Sequence, residues 1–420
     1  MPVEDRCKPR CHSAERGYGC AQAAAAPRRA AAFLVKIALV TETFPPEVNG
    51  VAMTLKRLAE GVARRGDELT VLRPRQAADR SRPDSLDTPY REILVPGLPL
   101  PRYEGLMIGW PVLWRLLRLW TKDRPDVVHV ATEGPLGWAA LGATARLAIP
   151  TSSSFHTNFH QYGEHYGYGA FLHVAFAYLR SFHNETSVTM VPTRQMRDQL
   201  RREGFWDPTV VSRGVDARLF APERRSDALR RGWGCEPGDP VFLYVGRVAR
   251  EKNIGLAVES FLAARERHPR ARFVIVGDGP EREDLQRRNP DFHFAGMQRG
   301  EALAAHYASG DIFLFPSITE TFGNVVTEAL GSGLVVVTYD YAAGREHIRH
   351  GENGVLAPFD QPAAFREAAI DIASRPERWP AMRAAARATA LGVTWDAIID
   401  RFRETLAGVA RSHRGLSACV

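Results

Sequence analysis

Short runs of β-branched and aromatic residues alternate, from residue 35 onward, with longer segments whose apolar positions recur at helical spacing. This alternation predicts a parallel α/β fold, because neighbouring parallel strands need a crossover helix between them. In the first half, strands are predicted at 36–41, 68–73, 90–95, 126–131, 150–155, 187–191 and 209–213. Helices are predicted there at 51–65, 110–122, 134–146, 168–184 and 194–203.

The pattern repeats after a stretch at 205–239 that is rich in proline and glycine. Strands are predicted at 240–246, 271–276, 292–295, 311–315, 334–338 and 354–357. Helices are predicted at 253–267, 281–288, 300–308, 323–331 and 362–373, and the last stretch, 378–410, is also helical.

The two alternating series predict two Rossmann-like, doubly wound α/β domains. We place the first at 34–220 and the second at 221–393, and we expect a C-terminal helix at 394–411 to pack back toward the first domain. Ligands of doubly wound sheets bind beyond the carboxyl ends of the strands. Two such edges that face each other predict one central cleft with the active site in it.

The composition, with 45% hydrophobic and 25% charged residues, is that of an ordinary globular chain. We expect the alanine-rich segment 1–33 to be a disordered leader, or to precede the true start of the protein. Three of the five cysteines lie in the first 20 residues. Because they lack Cys-x-x-Cys spacing, we expect no metal site there, although a metal knuckle that includes His12 is conceivable. Unpaired thiols favour a reducing, cytoplasmic compartment.

The net charge of +7 would suit an acidic partner such as anionic lipid, a phosphorylated substrate or nucleic acid. The basic residues are scattered, and neither zinc-finger spacing nor an RNA-binding signature occurs in the sequence. We therefore expect no nucleic-acid partner.

Polar residues follow several predicted strands of the first half. Asn49 and Gly50 come directly before a predicted helix, where Gly50 would let an anion approach the helix start. A plain strand-to-helix turn explains them equally well. His156 follows the fifth strand in a cluster that also contains His160 and His165, and its place at a strand end favours a functional role over a surface one.

In the second half, Arg247 and Lys252 follow a strand and open a helix, so they could clamp a diphosphate. A solvated basic turn is the alternative. Gly277 and Asp278 lie in a glycine-containing strand-to-helix turn that allows close backbone approach.

The strongest local signal is the segment 317–328. A polar turn with Glu320 leads through Gly323 into a helix that carries Glu328 about two turns further on. The free amides at the helix start suit a phosphate, and the two carboxylates could hold sugar hydroxyls on either side of it. Asp-x-Asp, Walker A and Gly-x-Ser-x-Gly patterns do not occur in the sequence.

These patterns in this order resemble the GT-B glycosyltransferases of family 4, over about residues 35–411. The resemblance rests on Glu320-x7-Glu328, on Gly246-Arg247 with Lys252, and on segments 277–280 and 212–216. It implies a retaining hexosyltransferase that uses a nucleotide sugar linked to GDP or UDP and needs no metal or other cofactor. The second domain would then bind the donor and the first domain the acceptor.

Carried over residue by residue, the resemblance implies that His156 lies near the transferred sugar and that Arg247 and Lys252 neutralise the departing phosphate. It implies that Glu320 holds the donor sugar and Glu328 the ribose. Further donor-binding positions are Asn49, Gly50, Gly277, Asp278, Phe322, Gly323, Asn324 and Val325. The stretch 342–345 reads Ala-Ala-Gly-Arg where many members have Gly-Gly-Pro.

Segments 49–51 and 155–166 resemble a bacterial branch of lipid-directed mannosyltransferases and sulfoquinovosyl-diacylglycerol synthases. We therefore expect a hexose, best mannose from GDP-mannose, to be moved to a membrane lipid or glycolipid of the cell envelope. A soluble acceptor, as in a sugar or polysaccharide synthase, remains the alternative within the fold. A non-catalytic protein that binds nucleotide sugars is the alternative from another class.

The predicted helix 110–122 would place Trp114, Leu117 and Trp120 on one face, beside a basic stripe of Arg115, Arg118 and Lys122. This pattern is typical of a helix that lies on an anionic membrane. We expect it to attach the enzyme peripherally to the inner face of the cytoplasmic membrane. A helix packed between sheet and solvent would show the same pattern.

Overall fold

The computed structural model describes residues 34–47, 49–81, 88–99, 107–156 and 169–417. The expected leader, 1–33, lies outside these ranges, as do His160 and His165.

A seven-stranded sheet forms the first half of the described chain. Its strands follow the order β3-β2-β1-β6-β7-β8-β9, and every pair is parallel. Strands β4 (Gly97–Pro99) and β5 (Met107–Gly109) form a separate antiparallel pair that the sequence pattern did not predict. The strands of the sheet are β1 Lys36–Val40, β2 Glu68–Pro74, β3 Arg91–Val95, β6 Val127–Val130, β7 Thr151–Ser154, β8 Val188–Val191 and β9 Thr209–Val210.

A six-stranded sheet forms the second half. Its order, β12-β11-β10-β13-β14-β15, is that of a Rossmann sheet, and all its pairs are parallel. The strands are β10 Val241–Val245, β11 Arg272–Val276, β12 His293–Gly296, β13 Ile312–Phe315, β14 Val335–Tyr339 and β15 Val355–Ala357.

Helices cover both sheets, which buries the strands on both faces and explains the nearly continuous apolar sequences of most of them. Strand β7 is the exception, because its four buried residues are polar. In the first half they are α1 Gly50–Arg64, α2 Leu113–Lys122, α3 Pro135–Leu147, α4 Gly169–Asn184 and α5 Arg194–Arg202. In the second half they are α6 Asp227–Gly232, α7 Ile254–Arg265, α8 Arg282–Arg288, α9 Gly300–Ser309, α10 Asn324–Gly331, α11 Ala342–His347, α12 Pro362–Ala373, α13 Trp379–Leu391 and α14 Trp395–Ser417. The α/β architecture of two doubly wound halves is confirmed.

The last helix, α14, packs against the first half of the chain. Ile399 and Phe402 belong to the same buried cluster as strands β1 and β2 and helix α1. Gly61 of α1 is required at this contact, because a Cβ there would lie 2.3 Å from the Ile399 side chain. The chain passes from the second half to α14 at Val393. The N–H of Val215, where the chain leaves the first half, donates to the carbonyl of Val393 at 2.9 Å. The two connections between the halves therefore run side by side.

The structure of helix α2 differs from the prediction that Trp114, Leu117 and Trp120 share one face. It begins at Leu113 rather than at residue 110, and Trp120 is only 2% exposed because it packs in the core beneath the helix. Trp114 is 74% exposed, so Trp114 and Trp120 do not form one surface. Within the described ranges, every helix is too short or too polar to cross a bilayer.

Candidate active site

The carboxyl ends of the two sheets face each other and make direct contacts. The hydroxyl of Thr321, after β13, donates to the carbonyl of His156, after β7, at 3.1 Å. The backbone N–H of Ala342, after β14, donates to the side-chain oxygen of Gln195 on α5 at 3.1 Å. An ion pair of 2.8 Å joins Arg194 to Glu346 beside it. The polar strand ends of both halves thus line one cleft.

The turn between β13 and α10 presents backbone amides to this cleft. Gly323 adopts a φ of +90°, which glycine takes without strain, and it precedes the first residue of α10. No side chain caps this helix. Because the first amides of a helix have no partner within it, the N–H groups at 323–325 can donate hydrogen bonds to an anion. Phe322 is buried beneath them.

Glu320 and Lys252 form an ion pair in the wall of the cleft. The Lys252 ammonium lies 2.6 Å from Oε1 of Glu320, and their side chains are 19% and 17% exposed. The Ser317 hydroxyl also donates to Oε1 at 2.9 Å, and the Tyr341 hydroxyl donates to the Glu320 carbonyl at 2.7 Å. The carboxylate is therefore held in place from two sides before any ligand binds.

Arg247 lies at the more open side of the cleft. Its side chain is 65% exposed and pairs with Glu251 at 2.9 Å, four residues further on. The Tyr244 hydroxyl donates to the Arg247 carbonyl at 3.0 Å, which fixes the backbone there. The guanidinium can swing toward a bound anion at little cost, because exposed ion pairs are weak.

Glu328 lies on α10, where little solvent reaches its carboxylate. The Tyr307 hydroxyl donates to Oε2 at 3.0 Å. Burial raises the pKa of Glu328 to about 7, although the Tyr307 hydrogen bond and the charge of Arg57 act in the opposite direction. A carboxyl with such a pKa can accept or donate hydrogen bonds near neutral pH.

Asn49 is the N-cap of α1. Its side-chain oxygen accepts hydrogen bonds from the N–H groups of Val51 and Ala52 at 2.9 and 2.8 Å. These two amides are therefore not available to a ligand, and Asn49 orients the helix start rather than exposing it. Gly50, the first residue of α1, is exposed.

Gly277 and Asp278 serve contacts within the second half. A Cβ on Gly277 would lie 1.9 Å from the carbonyl oxygen of Gly246, so this glycine lets two strand-end loops pack together. Asp278 accepts from the N–H of Gly279 at 2.8 Å and pairs with Arg282 at 3.0 Å. The close approach predicted from the sequence exists, but it joins protein backbone to protein backbone.

His156 brings an uncharged imidazole to the cleft. Among the described residues, neither ring nitrogen has a hydrogen-bond partner, and both nitrogens are buried. Burial lowers the pKa of His156 well below its usual range, and the charge of Arg213 lowers it further. The ring lines a small cavity of about 20 Å³ together with Ser154, Ser212 and Arg213.

The sequence patterns assigned no role to Arg213, which is only 6% exposed. Its guanidinium lies 5.7 Å from the centre of the Phe322 ring and therefore reaches across the cleft from the first half. The available signal was the position of this cation in the segment 212–216, which contributed to the family resemblance.

Glu42 is the second residue that the patterns missed. It follows β1 directly, and its Oε1 accepts from the N–H of Leu136 at the start of α3, at 3.0 Å. Burial raises the pKa of Glu42 to about 7. Glu133 follows β6, the neighbouring strand at the point where the sheet order reverses, and its charge raises the same pKa. Two acidic groups thus lie at the switch point of the first sheet.

In the part of the chain that the structure describes, no group of three or more His, Cys, Asp or Glu side chains is arranged to hold a metal ion.

Glu328 predicts a measurable pH dependence of stability. Because its folded pKa is raised above 4.5, the folded protein holds more protons than the unfolded chain between about pH 4.5 and pH 7. The contribution of Glu328 to stability therefore falls as the pH rises through this window. Glu328→Gln cannot ionise, so it should gain on the order of 1–3 kcal/mol over the wild type between pH 5 and pH 8. Urea unfolding at both pH values measures this.

The exposed Glu367 offers a matched control. Glu367→Gln should have the same small effect on the free energy of unfolding at both pH values. Parallel pH profiles for the wild type and Glu328→Gln would show that Glu328 titrates normally.

Two family models match the chain. "Glycosyltransferase Family 4" matches residues 48–219, and "Glycosyl transferases group 1" matches residues 239–375. The first falls on the half with the seven-stranded sheet and the second on the half with the six-stranded sheet.

Curated relatives span nearly the whole described chain. A GDP-mannose-dependent alpha-mannosyltransferase of Mycobacterium tuberculosis (strain CDC 1551 / Oshkosh) is 33% identical over 371 residues, covering 87% of this chain and 94% of that relative. An alpha-monoglucosyldiacylglycerol synthase of Acholeplasma laidlawii is 27% identical, covering 82% of this chain and 89% of the synthase.

The solved structure of Anabaena Alr3699/HepE in complex with UDP has the same fold. It matches with a TM-score of 0.71 at 17% identity and covers 89% of this chain and 100% of that chain. The fold is therefore the GT-B fold, and the relatives identify an enzyme of the hexosyltransferase class rather than a non-catalytic binding protein. The chain belongs to the family 4 glycosyltransferases.

Proposed function

We propose that this glycosyltransferase moves mannose from GDP-mannose to a membrane lipid or glycolipid, with retention of the anomeric configuration and without a metal ion. The observation that carries the proposal is the 317–328 segment, where free helix amides lie between two carboxylates at the edge of the cleft. The identity of 33% to a GDP-mannose-dependent enzyme supports mannose and GDP.

In this proposal the amides at 323–325 hold the diphosphate, and Lys252 and Arg247 stabilise its charge. Glu320 accepts hydrogen bonds from sugar hydroxyls, and Glu328 accepts hydrogen bonds from the ribose. Lys252 already contacts Glu320 at 2.6 Å, so one ion pair would contact both the sugar and the leaving group.

The reaction follows from where charge develops. The bond between the anomeric carbon and the phosphate oxygen breaks, and the sugar gains oxocarbenium character while the diphosphate gains negative charge. The acceptor hydroxyl attacks from the same face and gives its proton to the departing phosphate. His156, held neutral by burial, lies near the sugar as a hydrogen-bonding group and not as an acid.

The first half offers a surface that suits a lipid acceptor. An open groove of about 630 Å³ runs between α2, α3 and α4 and is lined by Trp114, Trp138 and Tyr178. Trp138 donates to the Tyr178 hydroxyl at 2.9 Å, which holds both rings in the wall. Pro135 also lines the groove, so it adjoins the strand end that carries Glu133. An apolar chain in the groove would thus bring a polar head toward the cleft.

The same surface supports attachment to an anionic membrane. Trp110 and Trp114 are 53% and 74% exposed beside the groove, and Arg115, Arg118 and Lys122 are exposed on the same helix or its end. Exposed tryptophan beside basic residues is typical of peripheral membrane contact. We propose that the enzyme works at the inner face of the cytoplasmic membrane. The relative that makes a glucosyl diacylglycerol supports a lipid acceptor.

The proposal predicts release of GDP from GDP-mannose when a lipid acceptor is present, measured with a coupled nucleotide assay. Glu320→Gln should lower kcat about 30- to 150-fold, because it removes a charge-assisted hydrogen bond worth about 2–3 kcal/mol in the transition state. Wild-type activity should persist in excess EDTA, since the amides and cations take the place of a metal.

Glu367→Gln is the matched control, because Glu367 is exposed on α12, away from the turns that carry the proposed donor-binding residues. Near wild-type kcat in Glu320→Gln would remove Glu320 from the site. Turnover with UDP-glucose and not with GDP-mannose would change the donor assignment, and a water-soluble acceptor would favour the sugar synthase alternative.

The membrane surface is tested by vesicle co-sedimentation. Wild-type enzyme should bind vesicles that contain anionic lipid and release as salt rises, because charge attraction is screened. Trp114→Ser should weaken binding about tenfold or more, since the lost apolar contact is worth at least about 1.4 kcal/mol.

Trp206, which is 70% exposed beside Asn184 at the C-terminal end of α4 and does not line the groove, offers the matched control. Trp206→Ser should leave vesicle binding unchanged. Binding that ignores lipid charge, or equal loss in both variants, would contradict the assigned surface.

A further inference from the structure

Arg213 is a buried cation at the floor of the cleft. It is 6% exposed and lies between the two halves, with its guanidinium 5.7 Å from the centre of the Phe322 ring. A Cβ placed on Gly50 would lie 3.9 Å from its Nη1. Arg213 therefore lies between the start of α1 and the turn that leads into α10.

Part of the hydrogen-bonding capacity of this guanidinium is unused among the described residues. Among the described residues, Nη2 of Arg213 is buried and has no partner. Burial lowers the pKa of Arg213 to about 10, so the group is still charged at neutral pH. Buried charges are normally paired, because an unpaired one loses its hydration without compensation.

Other buried arginines of the chain follow that rule. Arg73 is fully buried, and it contacts both oxygens of Asp79 at 2.7 and 2.8 Å and Glu92 at 3.0 Å. Arg230 contacts Asp311 at 3.1 Å. The unused Nη2 of Arg213 thus sets it apart from these two residues.

The surroundings of Arg213 favour an anion. The starts of α1 and α10 both face the cleft next to it, and a helix start carries partial positive charge. His156 beside it is uncharged, and the negative charge of Glu320 favours the protonated form of Arg213. The two helix starts and Arg213 therefore bring positive charge to one place, and among the described residues Nη2 of Arg213 has no hydrogen-bond acceptor.

We propose that Arg213 belongs to the donor site. Its guanidinium, which the first half of the chain supplies, would bind an oxygen of the nucleoside diphosphate. This assignment rests on the proposed nucleotide-sugar donor. It gives the diphosphate a contact from each half, since the amides at 323–325 approach it from the second half. Binding of the diphosphate would then draw the two halves together.

Arg213→Met tests the assignment, with dissociation constants of GDP and GMP measured by calorimetry, and of UDP and UMP in parallel. The variant should lower the preference for the diphosphate over the monophosphate about tenfold or more, because it removes a charge-assisted contact to phosphate. Arg213→Lys keeps the charge without the planar fork, so it should retain part of that preference. A purely structural role would change both affinities by the same factor.

Unfolding of the enzyme without ligand provides the second measurement. Arg213→Met should unfold at the same temperature as the wild type or higher, because it removes a buried charge whose Nη2 lacks a partner among the described residues. Arg73→Met is the matched control and should unfold at a lower temperature, because it removes the buried ion pair between Arg73 and Asp79.

An unchanged preference for the diphosphate in Arg213→Met would overturn the assignment, even where the wild type binds nucleotide well. A fall in unfolding temperature as large as that of Arg73→Met, with both affinities changed equally, would also overturn it. If the wild type bound none of the four nucleotides, the proposed donor class itself would be wrong, and the role of Arg213 with it.

Discussion

The structure depends on one constraint, which is that every strand of its two main sheets runs parallel to its neighbours. Parallel strands place all their carboxyl ends at one edge, and the helix that follows a strand begins near that edge. Because the two halves bring these edges together, polar turns and helix starts from distant parts of the chain meet in one cleft. The contact between Thr321 and His156 shows how close the edges come.

This arrangement concentrates positive potential before any ligand is present. The starts of α1 and α10, together with Arg213 and the neighbouring Lys252, surround the same space. Lys252 is balanced by Glu320, whereas Nη2 of Arg213 lacks a partner among the described residues. A bound diphosphate would neutralise positive charge that the protein itself does not fully balance. Binding of the donor should therefore stabilise the folded protein.

The elements and the fold could be predicted from the sequence because apolar periodicity reports which positions are buried. The burial of Trp120 could not be predicted, because the sequence does not show which face of an amphipathic helix packs against a neighbour. Here Trp120 packs in the same cluster as residues of α3. The glycine at 277 correctly indicated a close approach, but the pattern could not show that its partner is the Gly246 carbonyl. The missing partner of Nη2 of Arg213 results from tertiary packing, so the local sequence could not predict it.

Ala342 adopts a left-handed backbone conformation that glycine takes without strain. It adopts a φ of +50°, and its N–H bonds to Gln195 across the cleft. That hydrogen bond helps to hold a conformation that costs an alanine on the order of 1 kcal/mol.

We propose that the cleft transfers a hexose from a nucleotide sugar to an acceptor on the same face of the sugar. A direct measurement supplies GDP-α-mannose with a diacylglycerol acceptor and determines the anomeric configuration of the product by NMR. An α-mannosyl lipid is the expected product. A β-linked product, or free mannose with no glycosylated lipid, would contradict it.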